Sequence, residues 1–154
     1  MPGPATPLSR ARPRVFVDAD VLFAGCASPS EHGASLVLLR MAEITLIEAV
    51  VSQQVLTEVE RNLQAKLPRA LPAFHLIISR CLQVVPDPSQ GDVQAHTGLA
   101  EAADLPILVA ARQTGCPWLV TFNTRHYRPG LADVLVLPPG DFLLRVRDLL
   151  AQMG

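Results

Sequence analysis

The stretch Arg14-Val15-Phe16-Val17-Asp18-Ala19-Asp20-Val21-Leu22-Phe23-Ala24-Gly25 decides the fold. Its run of β-branched and aromatic residues before Asp18 predicts a short strand that is buried on both faces. Two acids, Asp18 and Asp20, follow that strand. Because open α/β sheets bind their ligands at the carboxyl ends of the strands, this pair marks a candidate site. A purely structural turn is the alternative, since aspartate is also a common turn residue.

The composition sets limits on the class of protein. The chain has 154 residues, which suits one domain with a substantial core. Hydrophobic residues make up 49% and charged residues 18%, which is more apolar than an average soluble domain. We expect both a sheet covered on its two faces and an apolar surface that forms a homodimer. The net charge of −1 gives no global attraction to nucleic acid, so such a partner requires a local basic patch.

The N-terminal residues and the cysteines bear on the cellular context. Residues 1–13 are rich in proline and carry no apolar segment, so we expect a flexible arm and not a signal peptide. Residues 14–152 are then expected to form a single domain. Three scattered cysteines without a C-x-x-C pair indicate reduced thiols in a cytoplasmic protein. No apolar run approaches the roughly 20 residues of a membrane helix, so no membrane partner is expected.

Apolar periodicity predicts that helices and strands alternate along the rest of the chain. Predicted helices cover residues 35–44, 53–67, 71–81, 94–103 and 104–114, with a last helix from Asp141. Predicted strands cover residues 46–51, 82–85, 118–121 and 134–137. Asp104 is expected to cap its helix, with Pro106 in the first turn. This alternation predicts an α/β domain with a mostly parallel sheet.

Four polar residues fall at the ends or on the faces of these elements. Asp18 follows the first strand, Glu58 lies on a helix, Asp104 begins a helix, and Asn123 follows a late strand. Each also has an ordinary explanation, because an aspartate caps helices and a glutamate is often a solvated helix residue. Periodicity does not decide whether Glu58 or Glu60 faces a site.

In their order and local context these positions resemble the PIN domain, the nuclease fold of VapC-like toxins from bacterial toxin–antitoxin pairs. The resemblance covers residues 14–150 and rests on four segments: VFVDADVL (15–22), SQQVLTEV (52–59), ADLPILVAA (103–111) and LVTFNTRHY (119–127). It implies a three-layer α/β/α sandwich with a mostly parallel central sheet. It also implies a carboxylate cluster that binds Mg²⁺ or Mn²⁺ and cleaves RNA, with RNA and an antitoxin protein as partners.

The resemblance also implies roles for individual residues. Asp18, Glu58 and Asp104 match the three acids of the family and are the implied metal ligands, since hard cations prefer oxygen. Asn123 stands at a fourth catalytic position that is often Asp in the family, which removes one negative charge and bears on a two-metal mechanism. Asp20 stands where the family often has Asn or Ser, and it either restores that charge, orients a water or does neither.

Residues next to Asn123 are candidates for supporting the site. Thr121 is expected to donate a hydrogen bond to the Asp18 carboxylate. Arg125, His126 and Arg128 are candidate phosphate contacts, and arginine suits this role because a guanidinium group binds phosphate through two parallel hydrogen bonds. A histidine such as His126 is more often a packed or solvated residue than a ligand. A solvated basic turn is the alternative for this segment.

Two other classes of function fit part of the pattern. In a haloacid-dehalogenase-type phosphatase, Asp18 would be the nucleophile and Asp20 the general acid. That chemistry needs a downstream lysine, and the only lysine, Lys66, lies near the end of a predicted helix. A PIN-like module that binds a partner without cleavage is favoured by Asn123 and opposed by the three intact acids.

Overall fold

Five parallel strands form the centre of the molecule. The computed structural model describes residues 12–27 and 33–153, so most of the expected N-terminal arm lies outside the described residues. The strands are β1 (Arg14–Val17), β2 (Glu48–Ser52), β3 (Leu82–Val85), β4 (Trp118–Val120) and β5 (Leu135–Leu137). They pair in the order β3-β2-β1-β4-β5, and every neighbouring pair is parallel. The predicted α/β class is confirmed, and within the described residues the sheet is wholly parallel.

Helices cover the sheet on both faces. They are α1 (Ala19–Ala27), α2 (Ala34–Glu43), α3 (Gln53–Lys66), α4 (Leu71–Cys81), α5 (Gln90–Gln94), α6 (Leu105–Gln113) and α7 (Pro139–Met153). Helices α1 to α4 contact one another, α7 packs on α2, and α6 contacts β2 and β4. Because crossovers between parallel strands are right-handed, the reversal of direction between β3 and β4 puts α6 on the opposite face. The result is the three-layer sandwich that the resemblance implies.

The central strand positions the candidate site. Val15, Phe16 and Val17 are fully buried, as predicted for a strand covered on both faces. From β1 the chain moves outward to β2 and β3, and then it returns to the other side of β1 as β4. This reversal makes the crevice between the carboxyl ends of β1 and β4 the switch point of the sheet, where α/β folds bind their ligands.

The predicted helix over residues 94–103 is wrong. The structure has the short helix α5 (Gln90–Gln94) instead, and turns lead from there to α6. Ser89 begins α5, because its hydroxyl accepts a hydrogen bond from the Asp92 amide at 3.1 Å. Gly98 has φ +92°, a left-handed conformation that a regular helix does not contain. The other predicted elements are present, with ends displaced by up to two residues.

No helix in the described ranges is both long and apolar enough to cross a lipid bilayer.

Candidate active site

Asp18 is the buried centre of the site. It follows β1 directly, and its amide donates to the Val120 carbonyl at 3.0 Å, which continues the pairing of β1 with β4. Only 6% of the residue is exposed. One carboxylate oxygen, Oδ1, accepts from the Ala19 amide at 2.7 Å at the start of α1. A buried carboxylate requires such donors, because an unpaired buried charge is strongly destabilising.

Two hydroxyl groups bind the second oxygen of Asp18. The Thr121 hydroxyl lies 2.9 Å from Asp18 Oδ2, so the expected hydrogen bond is present. The Tyr127 hydroxyl donates to the same oxygen at 2.8 Å from a ring that is only 2% exposed. Burial, followed by the negative charges of Asp18 and Asp104, raises the pKa of Tyr127. The phenol therefore keeps its proton and remains a hydrogen-bond donor to Asp18.

Asp20 and Asn123 form a pair on the open side of Asp18. Asp20 Oδ2 accepts hydrogen bonds from the Phe122 amide and from the Asn123 side-chain Nδ2, both at 3.0 Å. Burial, and next the charge of Asp18, raises the pKa of Asp20 to about 6, although the bond from Phe122 acts in the opposite direction. Because the Asn123 amide nitrogen faces Asp20, its carbonyl oxygen remains available for another partner.

Asp104 joins the site through its side chain. It occupies the position before α6, but its carboxylate makes no capping hydrogen bond, so the expected capping role is wrong. Instead, Asp104 Oδ2 lies 3.1 Å from His126 Nδ1, and Glu101 Oε2 lies 3.4 Å from the same nitrogen. Burial, followed by the negative charge of Asp18, raises the pKa of Asp104, while His126 lowers it. The histidine thus offsets part of the charge repulsion within the cluster.

Glu58, and not Glu60, faces this cluster. Gln54 lies one turn earlier on α3, and its Nε2 donates to Glu58 Oε1 and to the Ala103 carbonyl, each at 3.1 Å. This amide therefore ties α3 to the segment that carries Asp104. The charge of Glu58 contributes to the raised pKa of Asp104, which places the two carboxylates within electrostatic reach. The Glu60 carboxylate instead lies 3.5 Å from His75 on α4.

The remaining predicted residues lie at the edge of the site. Arg125 lies within the short 3₁₀ turn Thr124–Tyr127, Arg128 follows it directly, and both are exposed. Their contact with phosphate stays a prediction. The side-chain hydrogen-bond partners of Asp18 among the described residues are Ala19, Thr121 and Tyr127, and Lys66 is not one of them. The Lys66 Nζ lies over the Phe23 ring, 6.0 Å from its centre. A phosphatase of the haloacid-dehalogenase type needs a cation beside its nucleophile. Within the described residues, Lys66 does not supply that cation to Asp18.

The donor set fits a divalent cation. Asp20 Oδ1 is a buried oxygen without a hydrogen-bond partner among the described residues, so it offers an unused ligand atom. Ligand atoms of Glu101, Asp104 and His126 all lie within 4.8 Å of one another. Among the described residues, this group contains Asp104 but neither Asp18 nor Glu58, which the resemblance implies as the other two ligands. Carboxylate oxygens that raise each other's pKa favour a bound cation, because its charge removes their mutual repulsion.

A parallel sheet with acidic residues at its switch point defines an α/β protein with an acidic ligand site. Residues 14–125 match the family model described as the PIN domain, and the chain therefore belongs to the PIN domain family. The sequence matches no curated protein.

Two solved structures share the fold. One is VapBC2 from Rickettsia felis, bound to a DNA fragment from its promoter, with a TM-score of 0.59 and 13% identity over 80% of this chain and 96% of that chain. The other is VapC20 of Mycobacterium tuberculosis, a toxin that cleaves the sarcin–ricin loop. It has a TM-score of 0.56 and 21% identity over 78% of this chain and 98% of that chain.

Sequence reasoning missed three residues that build the site. Tyr127, Glu101 and Gln54 act through contacts between segments that are distant in the sequence, and local periodicity does not report such contacts. One signal was available for Tyr127. It is the only tyrosine of the chain and it closes the LVTFNTRHY segment, and a buried carboxylate such as Asp18 needs hydroxyl or amide donors.

Proposed function

We propose that this PIN domain is a metal-dependent endoribonuclease and the toxin component of a type II toxin–antitoxin pair. The observation that carries the proposal is that one 3₁₀ turn holds two of the acids, since Tyr127 donates to Asp18 and His126 lies 3.1 Å from Asp104. Asp20 lies beside Asp18, and the charge of Glu58 contributes to the raised pKa of Asp104. We propose Mg²⁺ or Mn²⁺ as the cofactor, with Asp18, Glu58 and Asp104 as ligands and with Asn123 beside them.

The residues of the chain have distinct roles in this proposal. A divalent cation supplies charge neutralisation at the scissile phosphate and lowers the pKa of an attacking water. Thr121 and Tyr127 fix Asp18 through one oxygen. His126 holds Asp104 between α6 and the 3₁₀ turn. The guanidinium groups of Arg125 and Arg128 bind the flanking phosphates of the RNA.

The relatives support the choice of partners. VapC20 is a toxin that cleaves the sarcin–ricin loop, which makes structured RNA the first substrate class to test. The VapBC2 structure contains an antitoxin and promoter DNA, which supports an antitoxin partner here. We further propose that residues 14–152 act as one unit in the cytoplasm and form a homodimer, which light scattering at micromolar protein concentration tests.

The test is cleavage of a panel of structured RNAs by the purified protein with Mn²⁺, Mg²⁺ or EDTA. We expect cuts that require the metal and that Asp18→Asn abolishes, with the circular dichroism spectrum unchanged. Arg147→Ala is the matched control, because Arg147 is an exposed residue of α7 whose ion pair is with the neighbouring Asp148. Equal cleavage by wild type and Asp18→Asn would refute the proposed site.

A PIN-like module that binds RNA or protein without cleavage is the second candidate function, and Asn123 is the observation that favours it. Mn²⁺ discriminates between the two, because a ligand that binds the native state alone raises its melting temperature. A catalytic domain is expected to gain several degrees at millimolar Mn²⁺, and Asp104→Asn is expected to lose most of that gain. A wild-type protein that neither cleaves RNA nor responds to Mn²⁺ would favour the binding module.

A further inference from the structure

A polar groove runs along α3 beside the acidic cluster. It has a volume of about 420 Å³ and lies on the β2–β3 side of the site, away from Arg125 and Arg128. Its lining residues are Gln54, Thr57, Glu58, Arg61, Asn62 and Asp87. The groove shares Glu58 with the acidic cluster, so a chain that occupies one reaches the other.

The groove is built from one face of α3. Five of its lining residues follow the spacing i, i+3, i+4, i+7, i+8, which places them on one side of a helix. The buried residues of α3, Val55, Leu56, Val59 and Leu63, occupy the other side. Asp87, which follows β3, completes the lining, and its Oδ1 accepts a hydrogen bond from the backbone amide of Gln54 at 2.8 Å.

The charges of the groove determine which part of an RNA chain can bind there. Glu58 and Asp87 repel phosphate, and the second carboxylate oxygen of Asp87 can accept a hydrogen bond from an N–H group of a base. The amide of Asn62 offers a donor and an acceptor, which suits the Watson–Crick edge of an unpaired base. Arg61 is exposed and forms no ion pair with a carboxylate of the described residues, so its guanidinium is free to bind a phosphate.

We propose that this groove is a nucleotide subsite that selects unpaired RNA next to the scissile phosphate. Asn62 contacts the base and Arg61 contacts the phosphate of that nucleotide. The RNA then runs from the segment that holds Arg125 and Arg128, across Asp18 and Asp104, and into the groove beside Glu58. The inference rests on the proposed ribonuclease function and assigns residues of specificity to it.

The experiment compares Arg61→Ala and Asn62→Ala with Gln64→Ala, a matched control on the same helix whose exposed side chain does not line the groove. Single-turnover cleavage is measured with Mn²⁺ on hairpin RNAs that differ in the unpaired base beside the cut. We expect each groove variant to raise the protein concentration for half-maximal rate about fivefold, the effect of one lost hydrogen bond. Asn62→Ala should also reduce the differences in rate between the four bases.

Binding without cleavage separates this inference from the proposed function. The variants are rebuilt on Asp18→Asn, and fluorescence anisotropy measures their affinity for labelled unpaired RNA with Mn²⁺ present. About fivefold weaker binding in Arg61→Ala and Asn62→Ala, with no change in Gln64→Ala, supports the subsite even if the wild type cuts no RNA tested. Unchanged affinity and unchanged base preference in both groove variants overturn the subsite and leave the nuclease proposal intact.

Discussion

Asp20 and Asn123 form a pair in which one carboxylate and one amide face each other, and exchanging them tests the electrostatics of the site. Asn123→Asp puts a second carboxylate where Nδ2 now donates to Asp20 Oδ2 at 3.0 Å. The lost donor costs about 1 kcal/mol of unfolding free energy. Two charges about 4 Å apart repel by about 4 kcal/mol at an effective dielectric constant of about 20, and the exposure of position 123 reduces this to about 1 kcal/mol.

Metal-free Asn123→Asp should therefore be about 2 kcal/mol less stable than wild type at pH 8 in urea unfolding with EDTA. The double substitution Asp20→Asn with Asn123→Asp restores one carboxylate and one amide, so it should regain most of that loss. The loss should shrink at pH 5, because a carboxylate with a pKa of about 6 is mostly protonated there. Mn²⁺ should also reduce it, since a cation relieves the repulsion.

The double substitution is the decisive control. Two results would show that the charges at positions 20 and 123 do not interact. One is a single variant with the same free energy of unfolding as wild type at pH 8, and the other is a double variant no more stable than the single one. The reasoning about the charge of the site would then be refuted.

Three further perturbations follow from the same contacts. Tyr127→Phe removes a hydrogen bond to a buried carboxylate and should cost about 2 kcal/mol of unfolding free energy in urea. The control Thr114→Val loses a hydrogen bond to a backbone carbonyl and should cost about 1 kcal/mol. Equal costs would contradict the special role of Asp18. The pKa of Asp20 is raised in the native state, so the native state binds more protons than the unfolded state between pH 4 and 6. The free energy of unfolding of the wild type should therefore fall as pH rises through this window. Metal-free Asp20→Asn should lack that fall and exceed wild type by about 1 kcal/mol at pH 8; identical pH profiles would count against it. Gln54→Ala releases Glu58 from Ala103 and should weaken Mn²⁺ binding severalfold in calorimetry, and unchanged affinity would show that Glu58 needs no support.

The fold could be predicted because its elements follow local rules. The apolar run before Asp18 and the alternation of strands and helices suffice for a parallel sheet, and the structure confirms both. The error at residues 94–103 has a local cause too. A glycine within a helical pattern can be tolerated or can end the helix, and Gly98 adopts a left-handed conformation that only the surrounding turns select.

The site could be predicted only in part. The order of the acids indicated Asp18, Glu58 and Asp104, but the choice between Glu58 and Glu60 depended on Gln54 and its bond to Ala103. The same limit hid Tyr127. Tertiary packing decides whether a tyrosine after a strand turns toward a carboxylate. Here Tyr127 and Asp18 are 109 residues apart in the chain.

The most direct test of the central claim is the chemistry of the RNA ends that the protein produces. A bound divalent cation would activate water for attack on the phosphorus without the ribose 2′-hydroxyl group, so no 2′,3′-cyclic phosphate would form. We predict that RNA cut in Mn²⁺ or Mg²⁺ has ends without a cyclic phosphate. The same cuts should disappear in EDTA and in Asp18→Asn. Cuts that survive EDTA, or ends that carry a cyclic phosphate, would contradict a metal-dependent site at Asp18.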